Sequence, residues 1–116
     1  MAGIRDGRSY CSDGLSHLFD FKVNGLGVGE PGDAGRPSAL AIKSGEPLAV
    51  SVNVAALLDE KPRDDIRRAG LDQKPYWHVE RARIGDTRNV PVELVVNGKA
   101  VERKEVPADG SVQEVK

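Results

Sequence analysis

Residues 90–116, VPVELVVNGKAVERKEVPADGSVQEVK, decide the fold class of this chain. Apolar and polar residues alternate on both sides of Asn97-Gly98, which is the period of a strand with one buried face. Asn-Gly is the strongest short signal for a two-residue hairpin, because both turn positions need a positive φ that these residues tolerate. A third short run follows Asp109-Gly110. The stretch therefore predicts a meander of antiparallel strands.

The rest of the chain carries the same kind of pattern, interrupted once. Residues 56–75 are charged and bounded by prolines; residues 64–69 could form one helical turn, but such short helices are marginal alone, and we predict a long, partly mobile loop. The strand over 76–84 changes parity near Glu80-Arg81, which predicts a β-bulge or a strand that changes sheets. Further strands are predicted at residues 16–23, 39–42 and 48–54, and further turns at 24–25, 45–47, 85–88 and 107–110.

Together these elements predict an all-β chain. Short strands separated by turn signals favour an antiparallel immunoglobulin-like β-sandwich of about seven short strands. Residues 1–14 are rich in glycine and small polar residues, and are predicted to be a flexible tail or linker. Residues 15–116 are predicted to form a single sandwich domain.

Composition and charge argue against several classes of protein. Charged residues make up 30% of the 116 residues, but the formal net charge is only −1, whereas nucleic-acid and anionic-membrane binders usually carry a basic excess. No apolar run approaches the roughly 20 residues of a membrane span, and the polar N-terminus does not resemble a signal peptide. The single cysteine, Cys11, excludes an internal disulfide and a cysteine-based zinc site. We expect neither nucleic acid nor membrane as a partner.

One strand face is a candidate ligand or interface site. It comprises Tyr76, His78, Arg81, Arg83 and Arg88. Arginine and tyrosine favour interfaces, and this set would suit an anionic glycan or phosphate. The simpler alternative is a solvated strand face, paired with acidic residues across the sheet.

No pattern in the chain predicts catalysis, a metal or a cofactor. His17 and His78 do not form a His-x-His or His-Glu-x-x-His pair, and no serine lies in a Gly-x-Ser-x-Gly elbow. The glycines of residues 25–29 look only superficially like a phosphate-binding loop, because Pro31 follows where a helix would have to begin. We therefore predict no catalytic residue, no metal ligand and no cofactor, and a turn at the glycines.

Two segments go beyond generic β patterning. They are GRSYCSDGLSHLFDFKVNG at residues 7–25 and KPYWHVERARIGDTRNVPVELVVNG at residues 74–98. Together they resemble the region just C-terminal to the barrel in secreted, planctomycete-type bacterial metallohydrolases of the CehA/McbA type, relatives of the polymerase-and-histidinol-phosphatase (PHP) phosphoesterases. The resemblance implies a β-sandwich that follows a catalytic barrel whose metal ligands lie upstream. No residue here matches those ligands, so none is carried over.

The resemblance also implies the function that we expect. The chain would be a non-catalytic accessory β-sandwich domain that packs on the upstream catalytic domain of the same polypeptide or presents substrate to it, and the parent protein would be secreted or periplasmic. Similar proteins continue past a position like Lys116, so the sheet would lack a final strand and its open edge would favour self-association. The alternative is a free-standing carbohydrate- or protein-binding module that uses the 56–75 loop and the Tyr76/Arg81/Arg83 face.

Overall fold

A computed structural model describes residues 2–12, 14–70, 72–73 and 82–116. Strands dominate this part of the chain, and helical structure is limited to single turns, which confirms the all-β class. The elements in chain order are α1 (Ala2–Arg5), β1 (Ser16–Val23), β2 (Leu26–Gly27), a 3₁₀ turn (Asp33–Gly35), β3 (Val50–Leu57), α2 (Asp64–Arg67), β4 (Asn89–Val96), β5 (Lys99–Pro107) and β6 (Asp109–Val115). None of the helical turns described has the length and apolar character needed to cross a bilayer.

The described strands form two sheets, a four-stranded sheet in the order β2-β1-β3-β6 and a two-stranded sheet of β4 and β5. Both hairpins, β1–β2 and β4–β5, are antiparallel. The end of β1 meets the start of β3 through the Asn24 N–H, which donates to the Ala49 carbonyl over 2.7 Å. The end of β3 meets the start of β6 through the Leu58 N–H, which donates to the Ala108 carbonyl over 3.2 Å. These contacts make both central pairings antiparallel as well.

The prediction of a meander over residues 90–116 is confirmed for its first hairpin and wrong for its third strand. Asn97 (φ 50°) and Gly98 (φ 78°) form the expected turn between β4 and β5. The third strand, β6, does not continue that sheet but pairs with β3. Ala108 alone joins β5 to β6, and its N–H donates to the Arg88 carbonyl while its own carbonyl accepts from Leu58. The chain therefore changes sheets within one residue, which leaves no room for the predicted turn over 107–110.

The chain divides into two compact units. Unit 1 comprises residues 1–11, 18–53 and 114–116, and unit 2 comprises residues 12–17 and 54–113. Unit 2 contains every described hydrophobic residue that is buried, namely Val54, Ala56, Leu58, Val106 and Ala108. Val90 packs against this small core.

The strand β3 extends beyond its predicted end at residue 54. Val54 and Ala56 are buried at alternate positions, and Leu58 follows them directly after the strand. Alanine is a weak strand signal, which is why the predicted loop began too early at residue 56. One helical turn, α2, forms within the stretch that we predicted to be a loop, at the residues where such a turn was possible. Leu48, predicted to share the buried face of this strand, lies before its start and is 45% exposed.

Two other local predictions are wrong. Residues 39–42 form no strand, because the Ala39 carbonyl and the Ala41 N–H bond to Asp33 within the loop and not to a neighbouring strand. In β1, whose predicted bounds are confirmed, Asp20 adopts φ 55° and breaks the alternation that would have buried Phe21. The strand predicted over 76–84, with its bulge, lies mostly outside the described residues.

Candidate functional site

The structure describes two members of the predicted face, Arg83 and Arg88. Tyr76, His78 and Arg81 lie outside the described residues. Arg88 is exposed, but Arg83 is only 7% exposed. At this one position the burial fits neither a solvated strand face nor an open ligand face. The proposed ligand face of all five residues stays a prediction.

Arg83 connects two segments of unit 2. Its Nε donates to the Asp59 carbonyl over 2.7 Å, and one terminal nitrogen donates to the Thr87 carbonyl over 2.5 Å. The Arg83 carbonyl in turn accepts from the Arg63 N–H over 3.4 Å. Arginine suits this position because its rigid fork of donors can satisfy several carbonyls at once. The side chain therefore holds the segment after β3 against the turn before β4.

Unit 1 leaves several large apolar side chains at the surface, and five of them lie together. Phe21, Val28, Leu40, Ile42 and Leu48 are 36–49% exposed. They line one concavity of about 240 Å³, which we call the apolar depression and whose full lining is Phe21, Val23, Leu26, Gly27, Val28, Ser38, Leu40, Ile42 and Leu48. No charged side chain is among them. Soluble monomers rarely expose large contiguous apolar patches, so this surface is suited to contact with another molecule or domain.

A second concavity of unit 1 combines aromatic and charged side chains. This aromatic groove has a volume of about 350 Å³ and is lined by Arg8, Ser9, Tyr10, Leu18, Phe19, Asp20, Phe21, Gly27, Val28 and Glu30. Ligand pockets in proteins usually have volumes of about 300–1,000 Å³, with mostly apolar walls and a few placed polar groups. The aromatic groove fits that description, although it is an open concavity.

The wall formed by Arg8 depends on a glycine. Gly29 has φ +76°, and a Cβ there would lie 2.0 Å from Arg8 Cγ and 2.9 Å from the Asp6 carbonyl oxygen. The Gly29 N–H donates to Ser38 Oγ over 2.7 Å. Gly29 is thus required for two reasons, its left-handed backbone and the close approach of residues 6–8. Gly25 and Gly29 lie in turns, as the turn interpretation predicted, whereas Gly27 lies in β2 and the close approach of residues 6–8 was not predicted.

The charged groups of the aromatic groove are held by local partners. Asp20 pairs with Lys22 over 3.0 Å, and the hydrogen bond that the Lys22 Nζ donates to this carboxylate raises the pKa of Lys22. Glu30 Oε2 accepts from the Gly27 N–H over 2.9 Å. Arg8 pairs with Asp6 over 2.8 Å. Each group is therefore positioned, and a carboxylate or guanidinium that makes one such contact has further hydrogen-bonding capacity.

Sequence reasoning missed both concavities. It assigned Tyr10 to a flexible tail and Phe21 only to the strand over residues 16–23. The positive φ of Asp20, which exposes Phe21, has no clear signal in a strand pattern. Aspartate is one of the few residues that tolerate a left-handed backbone, and its place between two phenylalanines was the only available hint.

His17 lies half-buried in β1, and Cys11 is an exposed thiol. Across the residues that the structure describes, no three His, Cys, Asp or Glu side chains are grouped as a metal site would require. The chain matches no family model, no curated protein and no solved structure.

Proposed function

We propose that this chain is a non-catalytic accessory β-domain of a larger secreted, PHP-like metallohydrolase, and that unit 1 docks on the catalytic domain of the same polypeptide. The apolar depression carries this proposal. Its five largest exposed side chains would leave water on docking, and each square ångström of apolar surface removed from water contributes roughly 25 cal/mol. The resemblance of residues 7–25 and 74–98 to the region that follows such a barrel supports the same partner.

The first test is the sequence that flanks this chain in its gene. An upstream barrel with clustered metal-binding histidines is expected, and its absence would refute the accessory function. The second test compares hydrogen exchange of residues 38–48 in the 116-residue chain and in the whole gene product. We expect slower exchange in the whole product, and loss of that protection in Leu48→Ser. Ile84→Ser is the matched control, because Ile84 is 62% exposed and belongs to unit 2.

The second candidate function is a free-standing carbohydrate- or protein-binding module. The aromatic groove favours it, because aromatic rings beside positioned polar groups are typical of ligand sites. The two functions use different side chains, Leu48 for docking and Tyr10 for ligand binding. Substitutions at these two residues therefore separate them.

We also propose that the two sheets belong to an immunoglobulin-like sandwich. The antiparallel order β2-β1-β3-β6 and the change of sheet at Ala108 support it, since sandwiches link their sheets in this way. β6 is one of the two outer strands of the four-stranded sheet as described, and an unpaired outer strand would favour self-association of the 116-residue chain. Light scattering over a range of concentrations tests this, and a monomer at every concentration would refute it.

A further inference from the structure

We propose that the aromatic groove of unit 1 binds a neutral saccharide, with a sugar ring against its aromatic side chains. This inference rests on the second proposed function, the binding module, and names its ligand class and its site. It assigns the binding site to residues that the sequence did not single out.

The apolar wall suits the face of a sugar ring. Tyr10, Phe19 and Phe21 all line the groove, and Tyr10 is 58% exposed while Phe21 is 36% exposed. A hexose presents a face of C–H groups, whose partial positive charge is attracted to the negative face of an aromatic ring. Exposed rings at the wall of a concavity are otherwise unfavourable, so a ligand that covers them would be stabilised.

The polar groups suit the hydroxyls at the edge of such a ring. Asp20 and Glu30 supply carboxylate oxygens, which accept from hydroxyls, and Arg8 supplies donors. Because Gly27, Lys22 and Asp6 already hold these groups in place, less side-chain entropy is lost when a ligand binds. Pairs of acceptors and donors around an aromatic floor match a ligand that carries several hydroxyls.

The charge distribution favours a neutral ligand over an ionic one. The groove contains one guanidinium and two carboxylates, and two of these three groups are paired with opposite charges. The electrostatic field in the groove is therefore not of a single sign, and it would attract neither an anion nor a cationic peptide strongly. An anionic glycan is therefore a poor match to this groove, in contrast to the arginine-rich face predicted from the sequence.

The test is a titration of the ¹⁵N-labelled 116-residue chain, followed by amide chemical shifts. The probes are neutral gluco-, manno- and galacto-oligosaccharides, a sulfated oligosaccharide and a lysine-rich peptide. We expect at least one neutral oligosaccharide to shift the amides of residues 8–10, 18–21 and 28–30. Its affinity should change less than about twofold when salt is raised to 1 M, because screening acts only on charges.

Two groove variants and one control complete the test. Tyr10→Ala should weaken binding at least about fivefold, the lower end of the effect of losing one stacked ring. Asp20→Asn should also weaken it, and asparagine tolerates the left-handed backbone at this position. Leu48→Ser should bind normally, because Leu48 lines only the apolar depression. A loss of docking in Leu48→Ser would therefore leave the saccharide proposal intact. A loss of saccharide binding in Tyr10→Ala would likewise leave the docking proposal intact.

Three results would overturn the proposal. The first is that no neutral oligosaccharide binds more tightly than a Kd of about 1 mM, the weak end of specific binding. The second is binding of the peptide or the sulfated probe alone, lost at high salt. The third is saccharide binding that Tyr10→Ala and Asp20→Asn both leave unchanged.

Discussion

Gly29→Ala is the substitution that probes the architecture of unit 1 most directly. The new Cβ would have to coexist with Arg8 Cγ at 2.0 Å and with the Asp6 carbonyl oxygen at 2.9 Å, at a φ of +76°. Real Cβ atoms essentially never approach another heavy atom so closely. Either residues 6–8 move away from Gly29, or the loop that contains Gly29 shifts. Both changes disturb the wall of the aromatic groove.

The loss of stability in Gly29→Ala has two contributions that can be measured separately, the left-handed φ and the overpacking. A left-handed φ costs an L-residue about 1–2 kcal/mol, and alanine returns about 0.4–1 kcal/mol by restricting the unfolded chain. Gly25→Ala isolates this part, because Gly25 has φ +84° and nothing within 4 Å of its Cβ position. Overpacking usually costs about 1–3 kcal/mol, and the atoms that would overlap here are Arg8 Cγ and the Asp6 backbone oxygen, neither of which is the end of a flexible side chain. We therefore expect Gly29→Ala to cost about 1–3 kcal/mol more than Gly25→Ala.

Urea denaturation of both variants measures the difference. Repeating Gly29→Ala in an Arg8→Ala background should recover most of the additional cost, because the variant lacks the Cγ atom that the new methyl group meets. Hydrogen exchange should show faster exchange at residues 6–10 in Gly29→Ala and no change there in Gly25→Ala. Equal destabilisation by the two alanines, together with no effect of the Arg8 background, would refute the close approach.

Three further outcomes are expected from unit 2. Arg83→Ala should lower the free energy of unfolding, measured by urea denaturation, by about 2–4 kcal/mol, because hydrogen bonds to charged groups contribute about 1.5–3 kcal/mol and two partly buried ones would be lost. The exposed Arg88→Ala should change it by under about 0.5 kcal/mol. Ala108→Leu should cost about 1–3 kcal/mol by overpacking, and Ala100→Leu on the exposed face of β5 should not; equal effects would contradict the buried sheet connection. The pKa of the Asp65 carboxyl, followed by NMR, should be about 2 and not 3.8, because Arg63 donates a hydrogen bond to it. The small stabilisation of the folded chain is therefore complete above about pH 4 and is lost as the pH falls through about 2. If 1 M salt left this pKa unchanged, the ion pair would be contradicted.

Local backbone preference explains which parts of the fold were predictable. Asn24-Gly25 and Asn97-Gly98 both form their predicted turns, since these residues accept positive φ whatever surrounds them. The bounds of β1 also followed from short-range pattern. The partner of β6 did not, because residues 109–115 alternate in the same way whether they pair with β5 or with β3. Strand pairing depends on contacts between residues that are distant in sequence.

The candidate site was less predictable than the fold. Its members come from the N-terminal segment, from β1 and from the loop after β2, and no spacing in the sequence relates them. The burial of Arg83 was equally unpredictable, because an arginine in a charged stretch was expected at the surface or in a ligand face. It is buried because the carbonyls of Asp59 and Thr87 converge on it.

By itself, the sequence determined the all-β class, the hairpin turns and the near-neutral charge, since each is a property of neighbouring residues or of composition. Only the tertiary structure decided that the chain changes sheets at Ala108, that Gly29 admits Arg8 and that Phe21 is exposed beside Tyr10. The physical reason is that these features depend on which distant segments come within contact distance. A local pattern constrains φ and the alternation of side chains, but it does not specify the partner that a face will meet.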